Sequence, residues 1–131
     1  MNKLKIAVID DISDVLELVE YNLRKEGMEV VTYESSITAL DEIAKNIPDL
    51  VISDWMMPEP DGLELCRLLK NDERTKNIPL MMLTCKGGIH DYREAIRAGA
   101  QDYVVKPVRM EELIRRIKLL VPIDRVKYKF A

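Results

Sequence analysis

This amino-acid sequence predicts an α/β fold, a doubly wound parallel sheet of five strands with helices on both faces. Short apolar runs alternate strictly with stretches of helical periodicity. The runs are continuous in hydrophobicity rather than alternating, which marks strands buried on both sides. The 131 residues fit one domain, and 47% hydrophobic with only 5% aromatic residues means that aliphatic side chains fill its core.

The first run, Lys5 to Ile9, is rich in β-branched residues and reads as a buried strand. Ser13 to Glu26 follows as a helix, with Val15, Leu16, Val19 and Leu23 at helical spacing. Ser13 or Asp14 is the expected cap at its start, and Gly27 suits its end. Glu29 to Tyr33 is the second strand. Ser35 to Asn46 is the second helix, with Ala39, Ile43 and Ala44 on one face and Pro48 closing it. Asp49 to Ser53 is the third strand. A loop with Pro58, Pro60 and Gly62 leads to a helix over Leu63 to Asn71, with Leu65, Leu68 and Leu69 expected inward. Pro79 opens the fourth strand, Leu80 to Leu83. Gly87 and Gly88 break the chain before a helix over Ile89 to Ala98, which Gly99 ends. Asp102 to Val105 is the fifth strand. Met110 to Val121 is the last helix, with Leu113, Ile117 and Leu120 on one face. After Pro122 apolar and charged residues alternate, which suits a short strand, a helix extension or the start of a linker alike. Val126, Tyr128 and Phe130 favour packing against something.

Composition excludes several classes. A net charge of −3 gives no global pull toward nucleic acid or an anionic membrane. Two cysteines, Cys66 and Cys85, make neither a disulfide framework nor a zinc-site spacing, and they suit a reducing compartment. The apolar run near the start, Ile6 to Ile9, is too short for a signal peptide, and no stretch of about 20 apolar residues could span a bilayer. These features together read as a cytoplasmic protein.

In open α/β sheets, sites form beyond the carboxyl ends of the strands. That rule selects Asp10 and Asp11 after the first strand, Asp54 after the third, Thr84 after the fourth and Lys106 after the fifth. Each alone has an ordinary reading. A lone Asp after a strand is most often a helix cap, a lone Thr an ordinary strand-end hydroxyl, and a lone Lys a solvated charge. Independent caps need not fall at this one edge, however. Two like charges about 4 Å apart repel by roughly 4 kcal/mol at an effective dielectric near 20, so three clustered carboxylates need cations. Lys106 supplies one. A divalent ion with hard oxygen ligands, Mg²⁺ (or Mn²⁺), would supply the rest on Asp10, Asp11 and Asp54.

The sequence resembles the receiver domain of two-component response regulators, of the chemotaxis-regulator kind, over about residues 4 to 121. The resemblance is carried by Val8 to Asp11, Ser53 to Pro58, Asp61-Gly62, Leu83-Thr84, Ala98 to Ala100 and Asp102 to Pro107. It implies a flavodoxin-like strand order 2-1-3-4-5, with residues 1–121 as the receiver and 122–131 as a tail or linker start. It also implies that Asp54 takes a phosphoryl group from the phosphohistidine of a kinase. Asp10, Asp11, Asp54 and the main-chain carbonyl of Met56 would hold Mg²⁺, while Thr84 and Lys106 would contact the phosphoryl group. Thr84 and Tyr103 would form the switch, and Met56 and Lys86 would tune how long the phosphate persists. The Lys106–Pro107 peptide is commonly cis in this family.

The implied partners are a sensor histidine kinase or phosphotransfer protein and a downstream output domain or protein. A second copy on phosphorylation is a further one, with no direct binding of nucleic acid or membrane. The implied output is a switched protein face around the fourth helix, fifth strand and fifth helix, near Tyr92, Ile96, Ala100, Tyr103 and Arg109. The chain would then be no enzyme beyond handling its own aspartyl phosphate. Cys85 departs from the small residue usual after the Thr and reads as tolerated there. His90, beside Gly87 and Gly88, reads as a surface or capping residue, and Trp55 as partly exposed. An aspartate-nucleophile phosphatase of the haloacid dehalogenase type would need a second Asp where Met56 stands. No Gly-x-Gly-x-x-Gly or Gly-Lys-Ser/Thr loop supports a nucleotide site.

Overall fold

The computed structural model describes residues 3–121. The expected packing of Val126, Tyr128 and Phe130 lies outside the described residues. Strands and helices alternate as β1 (Lys5–Ile9), α1 (Ser13–Lys25), β2 (Glu29–Tyr33), α2 (Ser36–Lys45), β3 (Leu50–Ser53), α3 (Gly62–Lys70), β4 (Leu80–Thr84), α4 (Ile89–Ala98), β5 (Asp102–Val105) and α5 (Met110–Leu120). All neighbouring strands are parallel, in the order β2-β1-β3-β4-β5.

The period-two alternation of strand side chains divides the core between two faces. Ile6, Val8, Leu50, Ile52, Met81, Leu83 and Val104 meet α1 and α5 through Leu16, Val19, Leu23, Leu113 and Ile117. Their sequence neighbours Ala7, Ile9, Val51, Leu80, Met82 and Tyr103 meet α2, α3 and α4 through Ala39, Ile43, Leu65, Cys66, Leu69 and Ala95. Strands β3 and β4 are buried throughout, which accounts for their continuous hydrophobicity.

Register sets the functional edge. Ile9 stands beside Tyr33 on one side and Ser53 on the other, and Thr84 beside Val105. The residues after β1 and β3 therefore leave the sheet side by side, since adjacent strands lie about 4.8 Å apart. Lys106 leaves β5 two strands away from β3, and only a long side chain covers that gap.

Two helix ends close as expected. Gly27, at φ 86°, lets its N–H reach Arg24 O while the Met28 N–H reaches Leu23 O. Gly99, at φ 110°, does the same for α4, with N–H groups of Gly99 and Ala100 on Ile96 O and Ala95 O. The cap of α1 differs from expectation, although the helix starts at Ser13 as expected. Ile12 is the capping residue, and no side chain caps the helix. Asp10 Oδ1 accepts the Ile12 N–H at 3.0 Å, so the cap falls on Ile12 and Ser13 lies inside the first turn. Leu68 also departs, pointing outward at 42% exposure. Cys66, buried beside Leu65, rotates the inward face of α3 so that Leu68 falls beyond its edge. Ala44 and Leu120 are half-buried.

Candidate functional site

Three loops leave the carboxyl edge of the sheet with acids or a base on their first positions. The Asp10 N–H bonds Tyr33 O, the Asp54 N–H bonds Ile9 O, and the Lys106 N–H bonds Thr84 O, at 3.1, 3.0 and 2.8 Å. These ladder bonds extend the strands by one residue and fix where each side chain starts. Asp10 and Asp54 are buried, whereas Asp11 is exposed. One carboxylate oxygen from each of the three acids lies within 4.8 Å of the others.

Lys106 Nζ bridges two of these acids, 2.9 Å from Asp10 Oδ2 and 3.3 Å from Asp54 Oδ2. The other oxygens meet backbone. Asp54 Oδ1 accepts N–H groups from Trp55 at 2.6 Å and Met56 at 3.2 Å, and Asp10 Oδ1 accepts that of Ile12. Burial pulls the Lys106 ammonium toward neutrality, but Asp10, and then Asp54, outweigh it and hold its pKa above the ordinary lysine value. One ammonium against three carboxylates leaves the cluster net negative. Two of the acids are oriented by backbone donors and the third opens to solvent. That donor set fits a hard divalent cation retaining water ligands.

Around this edge the structure places the remaining predicted residues. Thr84 is fully buried, and its hydroxyl oxygen accepts the Lys86 N–H at 3.3 Å. The Tyr103 hydroxyl donates to Lys86 O. Burial, then the charges of Asp91 and Asp54, raise the Tyr103 pKa. The Tyr103 ring meets Trp55 and Tyr92 edge-on, with centroids 6.4 and 5.8 Å apart. Lys86 Nζ sits over the Trp55 ring, 4.8 Å from its centroid, and 3.9 Å from Asp91 Oδ1. The Met56 side chain is exposed. The Lys106–Pro107 peptide is cis, and so is Glu59–Pro60.

Several residues stand differently from the sequence reading. Trp55 is buried rather than partly exposed, with the Tyr103 ring edge-on to the indole and the Lys86 ammonium over it. Of the five residues assigned to the switched face, Ala100 and Tyr103 are buried, while Tyr92, Ile96 and Arg109 are exposed. His90 lies on the surface, 3.3 Å from Glu94. Cys85 is exposed and lines an apolar cavity with Val15, Leu18, Pro107 and Val108.

Sequence reasoning missed why Gly62 must be glycine. Its N–H bonds Trp55 O at 2.8 Å, and a Cβ on it would lie 2.0 Å from the Asp54 carbonyl oxygen. Ser53 Oγ donates to that same carbonyl at 2.8 Å. The signal was present in the Asp61-Gly62 pair, where the Asp61 carboxylate caps α3 through the Glu64 N–H.

The chain is 40% identical over 117 residues to the phosphate regulon transcriptional regulatory protein PhoB of Rhizobium meliloti, a match covering 89% of this chain and 52% of that protein. It is 38% identical over 119 residues to protein PilG of Pseudomonas aeruginosa, covering 91% and 88%. The chain spans about half the length of the PhoB relatives it matches. Among solved structures, chemotaxis protein CheY4 of Vibrio cholerae superposes with a TM-score of 0.87 at 28% identity, covering 91% of this chain and 99% of that one. The Francisella response regulator 1452 receiver domain gives 0.84 at 28%, covering 90% and 96%. The family match to the response regulator receiver domain runs from residue 6 to residue 118 and takes in all five strands except Lys5, and the whole carboxylate edge. By that match, and by the strand order it shares, this chain belongs to the receiver domains of two-component response regulators.

Proposed function

We propose that residues 1–121 form a phosphoacceptor signalling unit in which Asp54 takes a phosphoryl group from a histidine kinase or phosphotransfer protein. The observation that carries this is Lys106 Nζ shared between Asp10 and Asp54, with Asp11 beside them. An Asp54 carboxylate oxygen attacks phosphorus. The O–P bond forms as the P–N bond to the donor imidazole breaks, and the electron pair returns to the ring nitrogen, which takes a proton. Asp10, Asp11, Asp54 and the Met56 carbonyl would hold Mg²⁺ or Mn²⁺, which when bound would supply positive charge against that developing on the transferring group. The Lys106 ammonium does the same from the protein side. A carboxylate alone is a poor acceptor for an anionic group, so this pairing of acid and cation is what makes transfer feasible.

Thr84 would exchange its Lys86 N–H for a phosphoryl oxygen, and Tyr103 follows it as the switch aromatic. The output is a protein contact through the α4–β5–α5 face, where Tyr92, Ile96 and Arg109 are exposed, and it reaches an output domain or protein. A second copy of the chain on phosphorylation is a further partner of that face. Catalysis is confined to gain and loss of the chain's own aspartyl phosphate. Met56 shields that phosphate from water and Lys86 contacts it electrostatically. Among the described residues no helix is long and apolar enough to cross a membrane, and the reading assigns the unit to the cytoplasm.

Incubation with acetyl phosphate and Mg²⁺, followed by intact mass measurement, tests the reading. A gain of one phosphoryl group that disappears in Asp54→Asn is expected. No adduct, with rapid turnover of a phosphomonoester instead, would make the protein a phosphatase. Met56→Ala and Lys86→Ala should each change the rate at which the phosphoryl group is lost, and unchanged rates remove both from lifetime tuning.

A further inference from the structure

Lys86 touches both residues of the switch pair, the residue after Asp54 and the first turn of α4. Its N–H reaches Thr84 Oγ1, its carbonyl accepts the Tyr103 hydroxyl, and its ammonium lies over Trp55 and near Asp91. Trp55 follows Asp54 directly and donates its N–H to Asp54 Oδ1. Asp91 lies in the first turn of α4. The ammonium is therefore placed between the phosphoacceptor loop and the first turn of α4.

Both of its contacts are weak ones. A cation over an indole at a partly exposed site is worth little, and 3.9 Å is the outer reach of an ion pair. A phosphoryl group on Asp54 would offer a charge-assisted hydrogen bond, which is stronger and shorter. We infer that Trp55 and Asp91 form a parking site for the Lys86 ammonium, and that a phosphoryl group on Asp54 draws it off, releasing Asp91 and the first turn of α4. Lys86 is in this sense a positioning residue that couples charge at Asp54 to the helix beyond it. The release half rests on the phosphoryl reading, whereas the parking half does not.

Trp55 is the only tryptophan, so all tryptophan emission comes from the ring that carries this contact. In the protein without ligand, Lys86→Met should change Trp55 emission intensity, while Lys86→Arg, which keeps a cation for the ring, should stay near the wild type. Identical emission in all three overturns the parking site. Mg²⁺ with beryllofluoride, a phosphoryl mimic, should then shift wild-type emission from its value in Mg²⁺ alone toward that of Lys86→Met. The same addition should move Lys86→Met less than the wild type, since no parked ammonium is there to leave the ring. Bound fluoride seen by ¹⁹F NMR with no such shift in the wild type overturns the release. No bound fluoride at all refutes the phosphoryl reading and the release with it, and leaves the parking site judged by the first comparison.

Discussion

At Gly62 the chain passes so close to Asp54 that a methyl group has no place. The clash would fall on backbone, 2.0 Å from the Asp54 carbonyl oxygen and 2.6 Å from Trp55 Cα, so no rotamer relieves it. Gly62→Ala should lower stability by roughly 3 kcal/mol in urea unfolding, at the upper end of single substitutions. A loss no larger than that of an exposed substitution would show that the loop yields easily. Asp11 poses the opposite case. It is exposed, holds its charge within 4.8 Å of two buried carboxylates, and Lys106 leans on Asp10 and Asp54 instead. Asp11→Asn should therefore stabilise the metal-free protein by about 1 kcal/mol. It should also shrink the extra stability that bound Mg²⁺ would confer, since a ligand that binds only the folded state stabilises it in proportion to its affinity. Unfolding in EDTA and in Mg²⁺ separates the two effects, and a destabilised variant in EDTA contradicts the account. The fully buried Cys66 thiol is pushed up to about 11 by burial, against the pull of Lys70 and Arg67. An unfolded cysteine titrates near about 8.5, so the folded state keeps the proton longer. The stability this proton supports is whole below about pH 8.5 and is lost as pH rises toward about 11. Cys66→Ala should flatten that decline, and two parallel pH–stability curves would count against it. These residues differ in how visible they are in the sequence. Asp10, Asp11, Asp54 and Lys106 follow apolar runs, so their place at one edge was legible. The need for Gly62 and the burial of Trp55 come from approaches across chain segments that no local pattern records.

Helices and strands were legible wherever one periodicity dominated. The bounds of β2, α4 and β5 fall where the sequence places them because β-branched runs and glycines mark their ends. The start of α1 at Ser13 was legible but its cap was not, since Ser13 is a good cap by composition while Ile12 takes that place, its N–H held by the Asp10 carboxylate. In α3 the error was rotational. Leu65 and Leu69 share a face with Cys66, and a cysteine contributes nothing to a count of leucines, so Leu68 was assigned inward. The distinction is measurable. Leu65 is fully buried, and Leu65→Ala should cost about 2–5 kcal/mol, whereas Leu68→Ala should stay within about 0.5 kcal/mol. Equal losses would return Leu68 to the core. At the far end of α4, Gly99 holds φ 110°, and a Cβ would also meet Lys70 Cγ at 2.7 Å. Gly99→Ala should cost about 1 kcal/mol or more for the backbone alone.

At the scale of the whole molecule, one sheet separates two cores that share no helix. Ile117 lies in the core under α1 and α5, and Leu65 in the core under α2, α3 and α4. Every strand contributes to both through alternate residues, so neither core can dissolve without exposing the sheet that supports the other. Net charge says nothing of this arrangement. The −3 of the chain is spread over 23 acids and 20 bases, and only the local gathering of Asp10, Asp11 and Asp54 against Lys106 has consequence. The shared sheet leads to a definite expectation for unfolding. Ile117→Ala and Leu65→Ala should each cost about 2–5 kcal/mol. Each should lower the urea midpoint without altering the slope, because the unit that unfolds is the entire domain. Their side chains are on opposite faces with the sheet between them, so in the double variant the losses should add to within about 0.5 kcal/mol. Fluorescence of Trp55, which belongs to the α2–α3–α4 core, and far-ultraviolet circular dichroism, which follows all helices, should trace one transition in every variant. If Ile117→Ala instead melts helical signal while Trp55 stays folded, the two faces are separable units and the sheet does not bind them into one.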